Sequence, residues 1–203
     1  LSVGEANDLY NKIEKETQWQ QLPIKIFGKE VMQPRLIAWF GDADTRYTYS
    51  GLTFESTPFT LPLLGVKQRI EDHVGICFNG VLVNLYRNGL DSMGWHSDDE
   101  MELGNEPIIA SLSVGSARTF KMRHKMEKDK KISLTINNGD LLLMEGKTQE
   151  FWQHSVPKTL KPCGPRINLT FRRILSIHGI GHKFCYIFNL YFLFFVMVFN
   201  AIS

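Results

Sequence analysis

With 203 residues, 43% of them hydrophobic and 22% charged, the chain has the composition of one globular domain with a substantial core, not of a disordered or fibrous polymer. A formal net charge of +2 excludes a global polycation, so any nucleic-acid surface has to be a local patch. Three cysteines without paired spacing (Cys77, Cys163 and Cys185) argue against a disulfide framework and for a reducing, intracellular compartment, cytoplasm or nucleus.

Residues 1–20 lack the apolar run of a secretory signal. Ser2-Val3-Gly4-Glu5 fits a capping box, and Ala6, Leu9, Tyr10 and Ile13 then recur at helical spacing, which predicts a helix to about Thr17. Pro23, Gly28 and Pro34 break up the next stretch. Short strands are expected over 36–40 and 47–49, around the Gly41-Asp42 turn, followed by a helix over 62–74 that buries Leu63, Val66 and Ile70. From there strand follows strand: 81–86, 108–114, 119–122, 132–136, 140–144, 151–155 and 167–173. The turns carry Asn88-Gly89, Asn138-Gly139 and Glu145-Gly146, which tolerate positive φ. Many short strands after two helices predict a mainly β fold with flanking helices. The expected architecture is a double-stranded β-helix (jelly roll) with the N-terminal helices packed on one sheet, spanning residues 1–174. Composition changes abruptly in 175–203, and the uncharged, apolar and aromatic run 184–202 is long enough to cross a bilayer. It reads as a membrane anchor or as an extension past the end of the domain, and the abruptness of the change favours the extension.

His96 and Asp98 are two apart, so on a strand their side chains share a face, and His154 has to come from a distant strand. Two imidazoles and a carboxylate are the protein share of a mononuclear Fe(II) site with open coordination positions; the same set holds Zn²⁺ or Mn²⁺. Ser97-Asp98-Asp99-Glu100 taken alone is equally a hydrophilic surface run. Arg166-Ile-Asn-Leu-Thr-Phe-Arg172 alternates throughout, which puts Arg166, Asn168, Thr170 and Arg172 on one face. Buried there, the arginines need an anion, and a guanidinium fork matches a carboxylate. Leu82, Asn84 and Tyr86 likewise share a face and offer an amide and a phenol to the same pocket.

Asn84-Leu-Tyr86, His96-Ser-Asp98-Asp-Glu100, His154-Ser and Arg166-Ile-Asn-Leu-Thr-Phe-Arg172, in that order and at those intervals, resemble the AlkB family of Fe(II)- and 2-oxoglutarate-dependent dioxygenases. The similarity covers about residues 6–174, and within the family it points to the homologue that repairs double-stranded DNA. The resemblance implies Fe(II) on His96, Asp98 and His154, with 2-oxoglutarate on Arg166 and Arg172, assisted by Asn84, Tyr86 and Asn168. It also implies O₂ as the oxidant: the co-substrate becomes succinate, an N-methyl group is hydroxylated, and formaldehyde leaves. The implied substrates, 1-methyladenine and 3-methylcytosine, are cationic, which suits an acid near the iron, with Asp99 and Glu100 as the candidates.

A base has to leave the stack to reach buried iron. Tyr47 and Tyr49 match the family's stacking positions, with His96 on the base's other face; both are also ordinary core or rim tyrosines. Phe27 falls where the duplex-repairing homologue carries a wedge, a device that fills the gap left by an extruded base. Arg118, Lys121, Arg123, Lys125, Lys128, Lys130 and Lys131 form a basic stretch in which Arg123 and Lys125 are the best phosphate contacts. Lys158 and Lys161 lie where that homologue has a denser basic loop, and the thinner loop here favours single strands or RNA. The expectation is therefore a monomeric DNA-dealkylating dioxygenase acting on alkylated DNA. The alternatives are an RNA or single-strand demethylase and a non-catalytic nucleic-acid-binding adaptor, tethered to a membrane only if 184–202 is native.

Overall fold

The computed structural model describes residues 1–26, 29–43, 45–49, 52–175 and 195–199. Helix α1 spans Val3–Glu16 and starts on the expected capping box: the Glu5 amide donates to Ser2 Oγ at 3.3 Å, and the Ser2 amide donates to the Glu5 carboxylate at 2.8 Å. Its buried stripe is Ala6, Leu9 and Ile13. After strands β1 (Pro23–Ile26), β2 (Lys29–Met32), β3 (Leu36–Gly41), β4 (Tyr47–Tyr49) and β5 (Leu52–Phe54) comes helix α2, Leu61–Val74. It buries Leu63, Val66 and Ile70, as expected, and ends on Gly75 at φ 72°, the left-handed cap that a glycine adopts without a Cβ clash. Arg69 donates to Glu5 at 2.8 Å and ties the two helices together.

The remaining elements are β6 (Gly80–Tyr86), β7 (Met93–His96), β8 (Ile109–Gly115), β9 (Arg118–His124), β10 (Lys131–Ile136), β11 (Leu141–Glu145), the single-turn helix α3 (Thr148–Phe151), β12 (Trp152–Val156), β13 (Arg166–Arg172) and β14 (Phe195–Phe199). They form a six-stranded sheet, β14-β11-β8-β13-β6-β3, and a four-stranded sheet, β10-β9-β12-β7; β1-β2 and β4-β5 are separate hairpins. The expected jelly roll is observed. The fully buried β13 shows how alternation divides the molecule. Ile167, Leu169 and Phe171 join Val81, Val83, Leu112 and Val114 in the layer covered by α1 and α2. Arg166, Asn168, Thr170 and Arg172 face the space between the sheets, where Leu82, Ile109, Phe120, Met122 and Trp152 form a second apolar cluster around them. Each large side chain in these layers contributes about 1.5–3 kcal/mol through burial.

Three features depart from the sequence-based expectation. In the stretch that Pro23, Gly28 and Pro34 were expected to break up, Pro23–Ile26 and Lys29–Met32 pair as the antiparallel strands β1 and β2. The strand carrying His96 stops there, so Asp98 follows the strand instead of belonging to it. Beyond residue 174, β14 pairs antiparallel with β11, Leu141 opposite Phe199. Without that strand β11 would present unpaired backbone groups along an edge, and a β-branched and aromatic run suits that position. The rest of the 184–202 run lies outside the described residues, and among the described residues no helix is long and apolar enough to cross a membrane. Cys163 is a half-buried free thiol. Cys77 is disulfide-bonded, against the expectation drawn from cysteine spacing.

Candidate metal and co-substrate site

His96 and His154 are cross-strand partners on β7 and β12, which sets their rings 4.2 Å apart between centroids. Asp98 reaches the same point from the loop after β7. Its amide donates not to a neighbouring strand but to Gln149 Oε1 at 2.9 Å, while Ser97 Oγ donates to the Trp152 carbonyl at 2.9 Å. One ligand atom from each of His96, Asp98 and His154 lies within 4.8 Å of the other two. His96 Nδ1–H donates to the Gly94 carbonyl at 2.9 Å, leaving the Nε2 lone pair for a metal. His154 Nε2 faces Asp98 Oδ2 at 3.6 Å, and Phe120 stacks on the His154 ring at 5.3 Å.

Charge states suit metal binding. Burial, reinforced by the neighbouring His96, lowers the His154 pKa to about 3, and burial lowers that of His96 against the pull of Asp98. Both rings are therefore neutral ligands at pH 7. Burial alone would raise the Asp98 pKa, but Arg172, His154 and His96 hold it well below the usual carboxylate range. Arg172 does this directly, donating through Nη2 to Asp98 Oδ1 at 2.8 Å with both side chains nearly inaccessible. Two imidazoles and one ionised carboxylate, with no fourth protein ligand in the cluster among the described residues, fit Fe(II) with open positions.

Beside the cluster, β13 lies between β6 and β8, with Arg166 opposite Tyr86 and Asn168 opposite Asn84. Arg166 donates to Ser113 Oγ at 2.7 Å, while its Nε and Nη1 are buried without a hydrogen-bond partner among the described residues. Unpartnered buried guanidinium donors are costly, and a carboxylate is the group whose geometry fits them. Asn168 is anchored by Ser111 Oγ and the Leu112 carbonyl. Asn84 Oδ1 accepts from Arg35 Nε at 2.7 Å.

The other expected residues are placed unevenly. Glu100 turns inward beside Tyr47 and Arg172; burial raises its pKa to about 7, with Arg172 opposing and Asp98 reinforcing. Asp99 lies at the surface, 3.4 Å from Lys125. Tyr47 is fully buried, its ring 4.6 Å from Trp39 and 5.2 Å from the Arg172 guanidinium, so a base stacking on it has to displace a neighbour. The Tyr49 side chain and Phe27 lie outside what is described. Arg123 sits over the Trp95 ring at 4.4 Å and donates to Gln153; Lys125 donates to the Gln149 carbonyl; Lys158 and Lys161 are exposed. Arg118, counted in the basic stretch, is instead buried: on β9 it shares the inward parity of Phe120 and Met122, opposite to Lys121 and Arg123. Sequence reasoning missed Arg35 and Gln149. Arg35 has the parity of the inward Ile37 and Trp39, a usable signal, whereas Gln149 sits on a helix too short to show a period.

The sequence matches the family described as the 2OG-Fe(II) oxygenase superfamily over residues 1–172. It is 43% identical over 183 residues to alpha-ketoglutarate-dependent dioxygenase alkB homolog 3 of Homo sapiens, covering 86% of this chain and 63% of that protein. It is 40% identical over 186 residues to DNA oxidative demethylase ALKBH2 of Homo sapiens, covering 85% of this chain and 70% of that one. The chain thus spans less than two thirds of the first relative's length. Among solved structures, OsALKBH1 is similar with a TM-score of 0.56 at 18% identity, over 83% of this chain and 92% of that one, a likeness of fold.

Proposed function

The chain belongs to the 2OG-Fe(II) oxygenase superfamily, alongside AlkB homologues, and from that premise we propose that it demethylates alkylated nucleobases in DNA, 1-methyladenine and 3-methylcytosine. Bound Fe(II), O₂ and 2-oxoglutarate supply the oxidation: one oxygen atom goes into the methyl C–H bond, the other into succinate, and CO₂ leaves. The hydroxymethyl group then departs as formaldehyde and the base nitrogen regains its ordinary valence.

The observation that carries the proposal is the buried His96–Asp98–His154 cluster next to the unpartnered Arg166 donors. His96 and His154 act as neutral ligands with their rings fixed by the Gly94 carbonyl and Phe120. Arg172 orients the Asp98 carboxylate and neutralises part of its charge. Arg172 is already engaged beside the metal ligands, so Arg166 takes the distal carboxylate of 2-oxoglutarate, with Tyr86, Asn84 and Asn168 lining its path. Glu100 supplies a carboxylate that offsets a cationic base.

The test is anaerobic loading with Fe(II) and 2-oxoglutarate, then exposure to air with single- and double-stranded DNA containing 1-methyladenine, read by mass spectrometry. Demethylation coupled to succinate is expected. Succinate without demethylation would move the substrate elsewhere, with methylated RNA next. Neither product, from folded and iron-loaded protein, would return the chain to a binding role. In the same assay Phe27→Ala is expected to hurt duplex more than single strands if Phe27 is a wedge.

A further inference from the structure

Arg118 opens β9 and is 3% exposed. Its guanidinium donates to three backbone carbonyls: Asn88 at 3.1 Å, Asp91 at 2.8 Å and Pro157 at 2.8 Å. It thereby clasps the link from β6 to β7 and the segment after β12 to the start of β9. These acceptors are uncharged, so they satisfy its donors without neutralising its charge. The guanidinium carbon lies 5.5 Å from the centre of the Tyr86 ring, and that of Arg166 lies 5.2 Å from the same ring. The acid side chain beside them, Asp91, is held by Arg87 through two hydrogen bonds of 2.8 and 3.0 Å. Asp91 also acts electrostatically on Arg118, but with Arg87, Arg118 and Arg166 against this one acid, positive charge is in excess at this end of the pocket among the described residues, where Arg166 Nε and Nη1 are buried without a hydrogen-bond partner. Excess buried charge is costly until an anion offsets it, and a dicarboxylate brings that anion while a monocarboxylate does not.

We propose that Arg118 is a positioning residue for the distal carboxylate of the co-substrate, holding Tyr86 and its two loops and supplying the charge that makes the pocket select a dicarboxylate over a 2-oxo monocarboxylate. This rests on the reading of the Arg166 pocket given above. Arg118 itself does not touch the ligand; its field acts through the Tyr86 ring and on the anion that Arg166 holds.

The test is calorimetric binding of 2-oxoglutarate and of 2-oxopentanoate, which has the same carbon chain without the distal carboxylate, to the Fe(II)-loaded full chain under argon, with thermal unfolding in parallel. Arg118→Gln keeps donors for the carbonyls and removes the charge; Arg118→Met, of similar length, serves if the Gln variant does not fold. Either is expected to weaken 2-oxoglutarate binding by about 10-fold or more while changing 2-oxopentanoate binding by less than about 2-fold. Arg118→Lys, which keeps the charge, is expected to retain most of the dicarboxylate preference. Equal losses for both acids would make Arg118 a structural clasp only, and no loss for either would remove it from the pocket; both overturn the proposal. A wild-type chain that binds neither acid would sink the Arg166 pocket itself, and this proposal with it.

Discussion

Asp98 has two partners on opposite sides, His154 at 3.6 Å and Arg172 at 2.8 Å, and all three side chains are almost fully buried. Removing the carboxylate therefore does more than delete a metal ligand. It leaves Arg172 as a buried cation, so Asp98→Ala is expected to cost about 3–5 kcal/mol of stability in the metal-free protein as well as abolishing succinate production. The partly buried His96, whose ring bonds a single carbonyl, should abolish turnover on replacement by Ala at a cost of about 1 kcal/mol or less. Urea denaturation of both variants distinguishes the cases, and equal costs would mean that Arg172 finds another acceptor. Acid should also unfold the metal-free chain in two stages. The folded-state pKa of His154 lies below its ordinary 6.5, so the unfolded chain takes up that proton first, and stability falls as pH drops from 6.5 towards about 3. The folded-state pKa of Asp98 lies below 3.8, so its contribution, present at higher pH, is lost as pH drops below 3.8. The His154 share of the limb above pH 4, at most about 1.4 kcal/mol per pH unit, should be lost in His154→Gln when unfolding is followed across pH, leaving the share of His96, whose pKa is also lowered. The ligand triad and the inward arginines could be read from spacing and parity, because both depend on sequence separation alone. The pairing of Arg172 with Asp98, 74 residues apart, could not, because it depends on how two sheets face each other.

Among the elements, the four-residue α3 acts directly on the site. Its Gln149 accepts from the Asp98 amide at 2.9 Å and donates to Met144 Sδ at 3.7 Å, fixing where the chain leaves β7. Gln149→Leu is expected to weaken metal affinity about 10–100-fold, the usual effect of losing a group that orients a ligand. Metal titration followed by loss of metal-induced thermal stabilisation measures it; an unchanged affinity would show that β7 alone sets the loop. The long strands β6, β8, β9, β10 and β13 and both long helices were legible, since six or seven residues of strand pattern or about four helical turns are enough to show a period. The pieces of three or four residues, β1, β2, β5, β7 and α3, were not. They are too short to show a period: β1 pairs with β2 and β5 with β4, each its neighbour in the chain, while β7 pairs with β12, His96 opposite His154, some 58 residues on. Arg118 belongs here too: parity along β9 separated it from Lys121 and Arg123, but a count of basic residues concealed that.

For the molecule as a whole, β14 caps the edge of the six-stranded sheet at β11. A chain ending at Leu175 is expected to keep its circular dichroism and its metal site, since His96 and His154 lie in the other sheet and Asp98 in the loop after β7, but to associate in a concentration-dependent way through the uncovered β11 edge. Size-exclusion chromatography with light scattering decides, and a monodisperse species at every concentration would show that the edge needs no cover. The sequence showed an uncharged, apolar segment there but not its partner, because strand pairing across 50 residues leaves no local mark. The layers have one more consequence. His96 and His154 stand on adjacent strands of the four-stranded sheet, whereas Arg172 belongs to the six-stranded one and reaches Asp98 across the gap. Were the two sheets to shift against each other, the imidazoles would keep their spacing on one sheet, and the Arg172–Asp98 contact, which spans the gap, would take the change. Of the three candidate ligands, Asp98 is the one held from both layers.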